Sequence, residues 1–219
     1  MTLGTLLTAA ALSVERACYV WIARAPGRFR AWCAHPGVAP LGDPVAVVRT
    51  LFCGFKVVQL SIFAGWCGLF AHGGLALDEI DAWALVVGGA LVLIGQTLNW
   101  SVFYRLGAIG VFYGDRLGYD ILWCRAFPFS WLRHPQYVGT VLSIWGLFAA
   151  LRFPRDDWAL LPVLETAYYV VGTYLEERRT APGDDGRAPC SPAITPVFRG
   201  IDDAPERAAQ SRAGLSSTE

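Results

Sequence analysis

Ile80-Asp-Ala-Trp-Ala-Leu-Val-Val-Gly-Gly-Ala-Leu-Val-Leu-Ile-Gly-Gln-Thr-Leu-Asn-Trp-Ser-Val-Phe-Tyr104 is apolar over a length that crosses ~30 Å of hydrocarbon as a helix, and it decides the fold class. Comparable runs occur at about residues 3–23 and 47–71, and a shorter pair at about 137–151 and 158–175. The expectation is an all-α integral membrane protein, a bundle of about four to five hydrophobic helices ending in a helical hairpin. Composition agrees: of 219 residues, 54% are hydrophobic and 16% charged, against roughly 25% charged in soluble domains. That deficit excludes a conventional soluble enzyme.

Eighteen basic residues balance eighteen acidic ones, so bulk charge draws the chain to no nucleic acid. Six cysteines without a C-x-x-C pair, and three histidines outside any H-x-x-H spacing, argue against a disulfide framework and a metal centre. The first apolar run lacks a short h-region with a small-residue cleavage site and is expected to stay in the mature protein. Glu15 and Arg16 near its middle each cost ~2.5 to 3.5 kcal/mol at a helix centre, which favours an interfacial position over a span. Arg152-Phe-Pro-Arg-Asp-Asp157 cannot continue an apolar helix and makes the last two runs a hairpin. From about residue 180 to Glu219 the Pro, Gly, Ser, Asp and Arg content suits a disordered cytosolic tail, leaving a membrane-embedded domain over 1–179.

Arg24, Arg28, Arg30 and Arg49 lie between the first two runs, whereas residues 72–81 carry no Lys or Arg. The positive-inside rule then puts 24–49 on the cytosolic side, with 105–134 and the end of the hairpin beside it.

Several polar features interrupt the apolar pattern. Lys56 with Gln59, and Gln96 with Asn99, stand at i,i+3 and mark a polar seam inside the bundle, as interhelical glue or a binding surface. Gly95 permits close approach of a ligand or of another helix. Leu106-Gly-Ala-Ile-Gly-Val-Phe-Tyr-Gly-Asp-Arg-Leu-Gly118 must bend and follows no β-strand, so it is a connecting loop or a headgroup lining, and no dinucleotide turn.

Phe127-Pro-Phe-Ser-Trp-Leu-Arg-His-Pro-Gln-Tyr-Val-Gly139 places Pro135 at a helix start with His134 as cap. Such an end attracts a phosphate or carboxylate, and Arg133 can bind either; a plain interfacial anchor is the other reading. Glu176-Glu177 end the last run against the helix macrodipole and ask for a compensating cation, for which Arg178 and Arg179 are candidates. Glu165, eleven residues earlier, lies nearly in line with Glu176.

Arg133-His-Pro-Gln-Tyr-Val-Gly139 followed some forty positions later by Glu176-Glu177 resembles the membrane methyltransferases that act on phosphatidylethanolamine and on isoprenylcysteine. Gly95-Gln-Thr-Leu-Asn99, Gly110-Val-Phe-Tyr-Gly-Asp115 and Phe127-Pro-Phe129 narrow the likeness, over about residues 40–177, to the phospholipid N-methyltransferases, especially the plant-type form acting on phosphatidyl-N-methylethanolamine. The resemblance implies S-adenosylmethionine as cofactor, held by Gly95, His134, Pro135, Tyr137, Gly139, Glu176 and Glu177, and a multi-pass endoplasmic reticulum protein with its site facing the cytosol. Animal relatives carry Gly-x-Gly where this chain has Leu93-Ile94-Gly95.

It further implies a membrane phospholipid as substrate and phosphatidylcholine as product. His134 or Asp115 would accept the amine's proton, and Arg133 and Tyr113 would contact the lipid, Tyr113 by cation–π attraction alongside Tyr104, Phe127, Trp131 and Tyr137. After the glutamate pair the prenylcysteine enzymes continue with an aromatic cytosolic helix, whereas this chain runs into Thr180-Ala-Pro-Gly-Asp-Asp-Gly186. The rivals are a prenylcysteine carboxyl methyltransferase, a sterol-reductase-like oxidoreductase and a non-catalytic lipid-binding protein.

Overall fold

A computed structural model of the chain describes residues 2–69, 81–119, 121 and 126–177. These belong to one compact unit, Met1–Pro189; a second, Cys190–Glu219, lies outside the described residues, as does the tail expected from 180 onward. The elements are α1 (Thr2–Arg24), α2 (Pro26–Cys33), a 3-10 turn (Ala39–Leu41), α3 (Pro44–Leu69), α4 (Ala82–Val111), α5 (Pro135–Arg152) and α6 (Leu160–Glu177), with no strand among the described residues. By length and composition α1, α3 and α4 can each cross a membrane.

Local chemistry sets the boundaries. The Asp81 carboxylate accepts from the Ala84 amide at 2.9 Å and opens α4; Asp43 accepts from the Ala46 amide at 2.7 Å and opens α3. Pro occupies the first turn of α2 and of α5, where its missing amide has no intrahelical partner to lose. Arg152 and Asp157, both buried, pair with each other across the turn between α5 and α6. The hairpin is fastened further along by Trp145 Nε1, which donates to Thr166 Oγ1 at 2.9 Å.

The most extensive helix contact joins α4 to α5 in antiparallel order, with Gly88 against Gly146 and Gly95 against Gly139. A Cβ on Gly139 would come 2.6 Å from the Gly95 carbonyl oxygen. Backbones approach this closely only where both sides lack side chains, the usual device where lipid gives helices no hydrophobic drive to associate.

Two apolar clusters hold the rest. One contains Tyr19, Ile22, Phe29, Val47, Val48 and Phe112; the other contains Leu12, Phe63, Trp66, Phe148, Leu161 and Tyr169. An ionic cluster joins the middle of α1 and α3 to the second turn of α6. Lys56 Nζ donates to Glu15 at 3.1 Å and to Gln59 Oε1 at 2.8 Å, and Gln59 Nε2 donates to Glu165 at 2.9 Å. The Arg16 guanidinium lies 3.6 Å from Glu165 and 3.7 Å above the Tyr169 ring.

Three expectations change. Glu15 and Arg16, expected to disfavour a span, face the bundle and pair there, and by length and composition α1 can cross a membrane. The single polar seam is two separate features, because Lys56 and Gln59 join α1 and α6 whereas Gln96 donates to Ser143 of α5 at 2.9 Å. The third run continues to Val111 through a kink at Gly107, whose φ of 62° suits glycine, so the bend expected in the glycine-rich stretch falls inside a helix. The loop after α1 also contains α2, which buries Phe29 and Cys33 at i,i+4.

Candidate functional site

The first turn of α5 is gripped from both sides. On one side Gly139 meets Gly95 and Asn99 of α4, and a Cβ on Gly139 would lie 2.8 Å from Asn99 Oδ1. On the other side the Tyr137 ring meets the Tyr169 ring of α6 edge-on, with centroids 5.4 Å apart. His134, at the cap position, stacks on Tyr137 at 5.9 Å, and Pro135 beneath it is fully buried. His134, Tyr137, Tyr169, Arg16 and Glu165 thus form a continuous path from the helix opening to the ionic cluster.

One polar atom in this contact is conspicuous. Asn99 Oδ1 is buried and accepts no hydrogen bond from the described residues, an arrangement that costs ~1 to 3 kcal/mol unless something supplies a donor. It lies beside Gly95 and Gly139, at one of the two close approaches of α4 and α5.

Glu176 and Glu177 end α6, seven and eight residues beyond Tyr169 and so about two turns further along. Their side chains, like Arg178 and Arg179, lie outside the described residues. A cation does serve this helix end, from an unexpected source: Arg24, the last residue of α1, donates through Nε and Nη2 to the Leu175 carbonyl at 3.4 and 3.3 Å. A guanidinium at the negative end of a helix interacts favourably with the macrodipole. It also brings the end of α1 to the end of α6, on the side where α5 begins, since α5 and α6 form a hairpin.

The structure therefore assembles Gly95, His134, Pro135, Tyr137 and Gly139 at one junction. Arg133 is exposed just before it. Tyr113 and Asp115 occupy the turn after α4. Tyr113 packs toward α1, 6.2 Å from Tyr19 and with φ of 57°, while Asp115 is exposed and 3.5 Å from Arg116. Sequence reasoning missed Arg24; its position at the end of an apolar helix carried a signal, but its acceptor lies 151 residues away. The partnership of Glu165 with Arg16 and Gln59 was equally hidden, because periodicity places charges on a face without naming what the face meets.

Residues 83–182, from α4 to just beyond α6, match the phospholipid methyltransferase family. A phosphatidyl-N-methylethanolamine N-methyltransferase of Arabidopsis thaliana is 46% identical over 88 residues, 40% of this chain and 50% of the relative. A phosphatidylethanolamine N-methyltransferase of Homo sapiens is 35% identical over 107 residues, 48% of this chain and 52% of the relative. The chain spans about half the length of these curated relatives. No solved structure matches it.

Proposed function

We propose that this chain, whose residues 83–182 form a phospholipid methyltransferase segment, transfers methyl groups from S-adenosylmethionine to phosphatidyl-N-methylethanolamine, to its dimethyl form and to phosphatidylethanolamine, yielding phosphatidylcholine. The observation that carries this reading is the junction itself: the helix opening at His134–Gly139 is clamped between α4 and α6 inside the segment that matches the family.

The residues suit the cofactor. Asn99 offers a buried acceptor in need of a donor, and S-adenosylmethionine carries amine and hydroxyl donors. Glu176 and Glu177 supply negative charge for its cationic amine or its ribose hydroxyls, and the helix opening after His134, with Arg133, suits its carboxylate. When bound, the cofactor supplies the methyl group on a sulfonium, a good leaving group, so alignment of the amine and exclusion of water can carry much of the rate.

The amine must first lose a proton. His134 is the preferred acceptor because it belongs to the assembled junction, whereas Asp115 is ion-paired with Arg116 in another turn. The imidazole would take the proton and free the nitrogen lone pair for the methyl group that the bound cofactor would supply, its sulfur keeping the electrons of the broken S–C bond. Arg133 and Tyr113 remain the proposed lipid contacts. An endoplasmic reticulum bilayer with the site facing the cytosol fits the basic residues 24–49, since Arg24 joins the end of α6 on the side where α5 opens.

Membranes containing the chain, incubated with methyl-labelled S-adenosylmethionine, should label mono-, di- or trimethylated phosphatidylethanolamines. Glu176→Gln should weaken cofactor binding and transfer while the protein stays in the membrane. Full transfer by that variant, or no labelled lipid from the native chain, overturns the reading.

A further inference from the structure

An exposed face of α4, bordering the contact with α5 at Gln96, carries a groove of about 540 Å³. Two neighbouring ridges at i,i+4 spacing form it: Gln96, Trp100 and Tyr104 on one side, Thr97, Ser101 and Arg105 on the other. Thr97 and Ser101 each donate their hydroxyl to the backbone carbonyl four residues earlier, at 2.8 and 2.6 Å, so the floor presents small side chains with no free donor. Trp100 and Tyr104 stand exposed above it. The floor is thus fitted to hydrocarbon.

The upper end differs. Arg105 Nε donates to the Phe127 carbonyl at 3.3 Å, which fixes the guanidinium at the lip, its two terminal nitrogens without a hydrogen-bond acceptor among the described residues and so placed to meet an anion. The Tyr104 ring lies 5.7 Å from that guanidinium, and the Phe127 ring meets Trp131 edge-on at 5.6 Å, Trp131 being 81% exposed. An anion site and exposed aromatic faces, side by side at the head of an apolar trough, complement a zwitterion on a hydrocarbon chain. Guanidinium binds phosphate, and aromatic faces attract a methylated ammonium.

We propose that this groove is a docking site for a zwitterionic glycerophospholipid, with its phosphate on Arg105, its methylated amine against Trp131 and Phe127, and an acyl chain lying along Ser101 and Thr97. The proposal rests on the methyltransferase reading for its link to turnover and makes α4 the face by which lipid reaches the junction. Gln96 lines the trough and donates to Ser143, so the trough and the α4–α5 contact share a residue.

The test is photo-cross-linking of the full chain in phosphatidylglycerol nanodiscs, using phosphatidylcholine with a diazirine in one acyl chain and mapping the label by mass spectrometry. Saturable label on 93–105, displaced by phosphatidyl-N-methylethanolamine but not by diacylglycerol, is expected. Arg105→Gln should weaken saturation roughly tenfold, the scale of one charge-assisted hydrogen bond. Thr97→Phe, an exposed substitution that fills the floor, should abolish the label without changing thermal stability.

Unsaturable label spread over all outer faces, indifference to both variants, or cross-linked pairs of chains in place of lipid adducts overturns the site. The outcomes separate from those of the enzymatic reading. Groove labelling without methyl transfer refutes the activity and keeps the site; methyl transfer with labelling elsewhere does the reverse.

Discussion

Glu165 is almost wholly buried, and its two partners come from different helices, Gln59 from α3 and Arg16 from α1. Removing one member of such a cluster leaves the others without compensation, so Glu165→Ala should lose roughly 3 to 5 kcal/mol of stability. Glu165→Gln keeps an acceptor for Gln59 and should lose less; thermal unfolding of both variants in detergent checks the order. Outside the apolar segments, Tyr119 donates its hydroxyl to Asp43 at 3.0 Å. Burial and the adjacent carboxylate push the phenol up to about 12. Because the folded value exceeds the ordinary one near 10, the stabilisation is complete below pH 10 and is lost as pH rises through about 12. An alkaline ultraviolet titration in which the native chain has one more late-ionising phenol than Tyr119→Phe checks this.

At the scale of helices, glycines with different surroundings make opposite predictions. Gly139→Ala forces a Cβ against the Gly95 carbonyl and Asn99, and should separate α4 from α5, lowering both stability and cofactor affinity. Gly54→Ala, in α3, meets nothing within 4 Å and should stabilise by about 0.5 to 1 kcal/mol through helix propensity. Paired unfolding curves, with cofactor titrations of the first variant, distinguish the two. Arg24→Ala removes the donor to the Leu175 carbonyl, and hydrogen exchange over 172–177 should quicken while the middle of α6 stays protected.

These helices also show what the sequence could disclose. Apolar length located α1, α3, α4, α5 and α6 to within a few residues at every end but the last of α4, and Pro135 marked the start of α5. α2 escaped because eight residues containing two arginines carry too little periodicity to stand out from a loop. The His134–Gly139 turn was legible as a helix opening, and its neighbours were not, since Tyr169, Asn99 and Arg16 reach it only through packing between distant segments.

For the whole molecule, the matched region 83–182 omits α1, α2 and α3, yet the ionic cluster binds α6 to both α1 and α3. A fragment beginning at α4 would carry Glu165 without Arg16 or Gln59. Residues 82–219 expressed alone should therefore fail to bind cofactor, and co-expression with 1–69 should restore binding; full binding by the fragment alone would show that the first three helices are dispensable.

The same cluster bears on how the protein is made. Its four charges, Glu15, Arg16, Lys56 and Glu165, sum to zero but are divided among three helices. A ribosome delivers α1 first and α6 last; α1 carries the balanced pair Glu15 and Arg16, whereas α3 and α6, each released singly into lipid, would carry an unmatched charge. The earlier helices therefore need shelter, at the translocon or against one another, until the hairpin emerges, which makes biogenesis a collective event that a truncated transcript cannot complete.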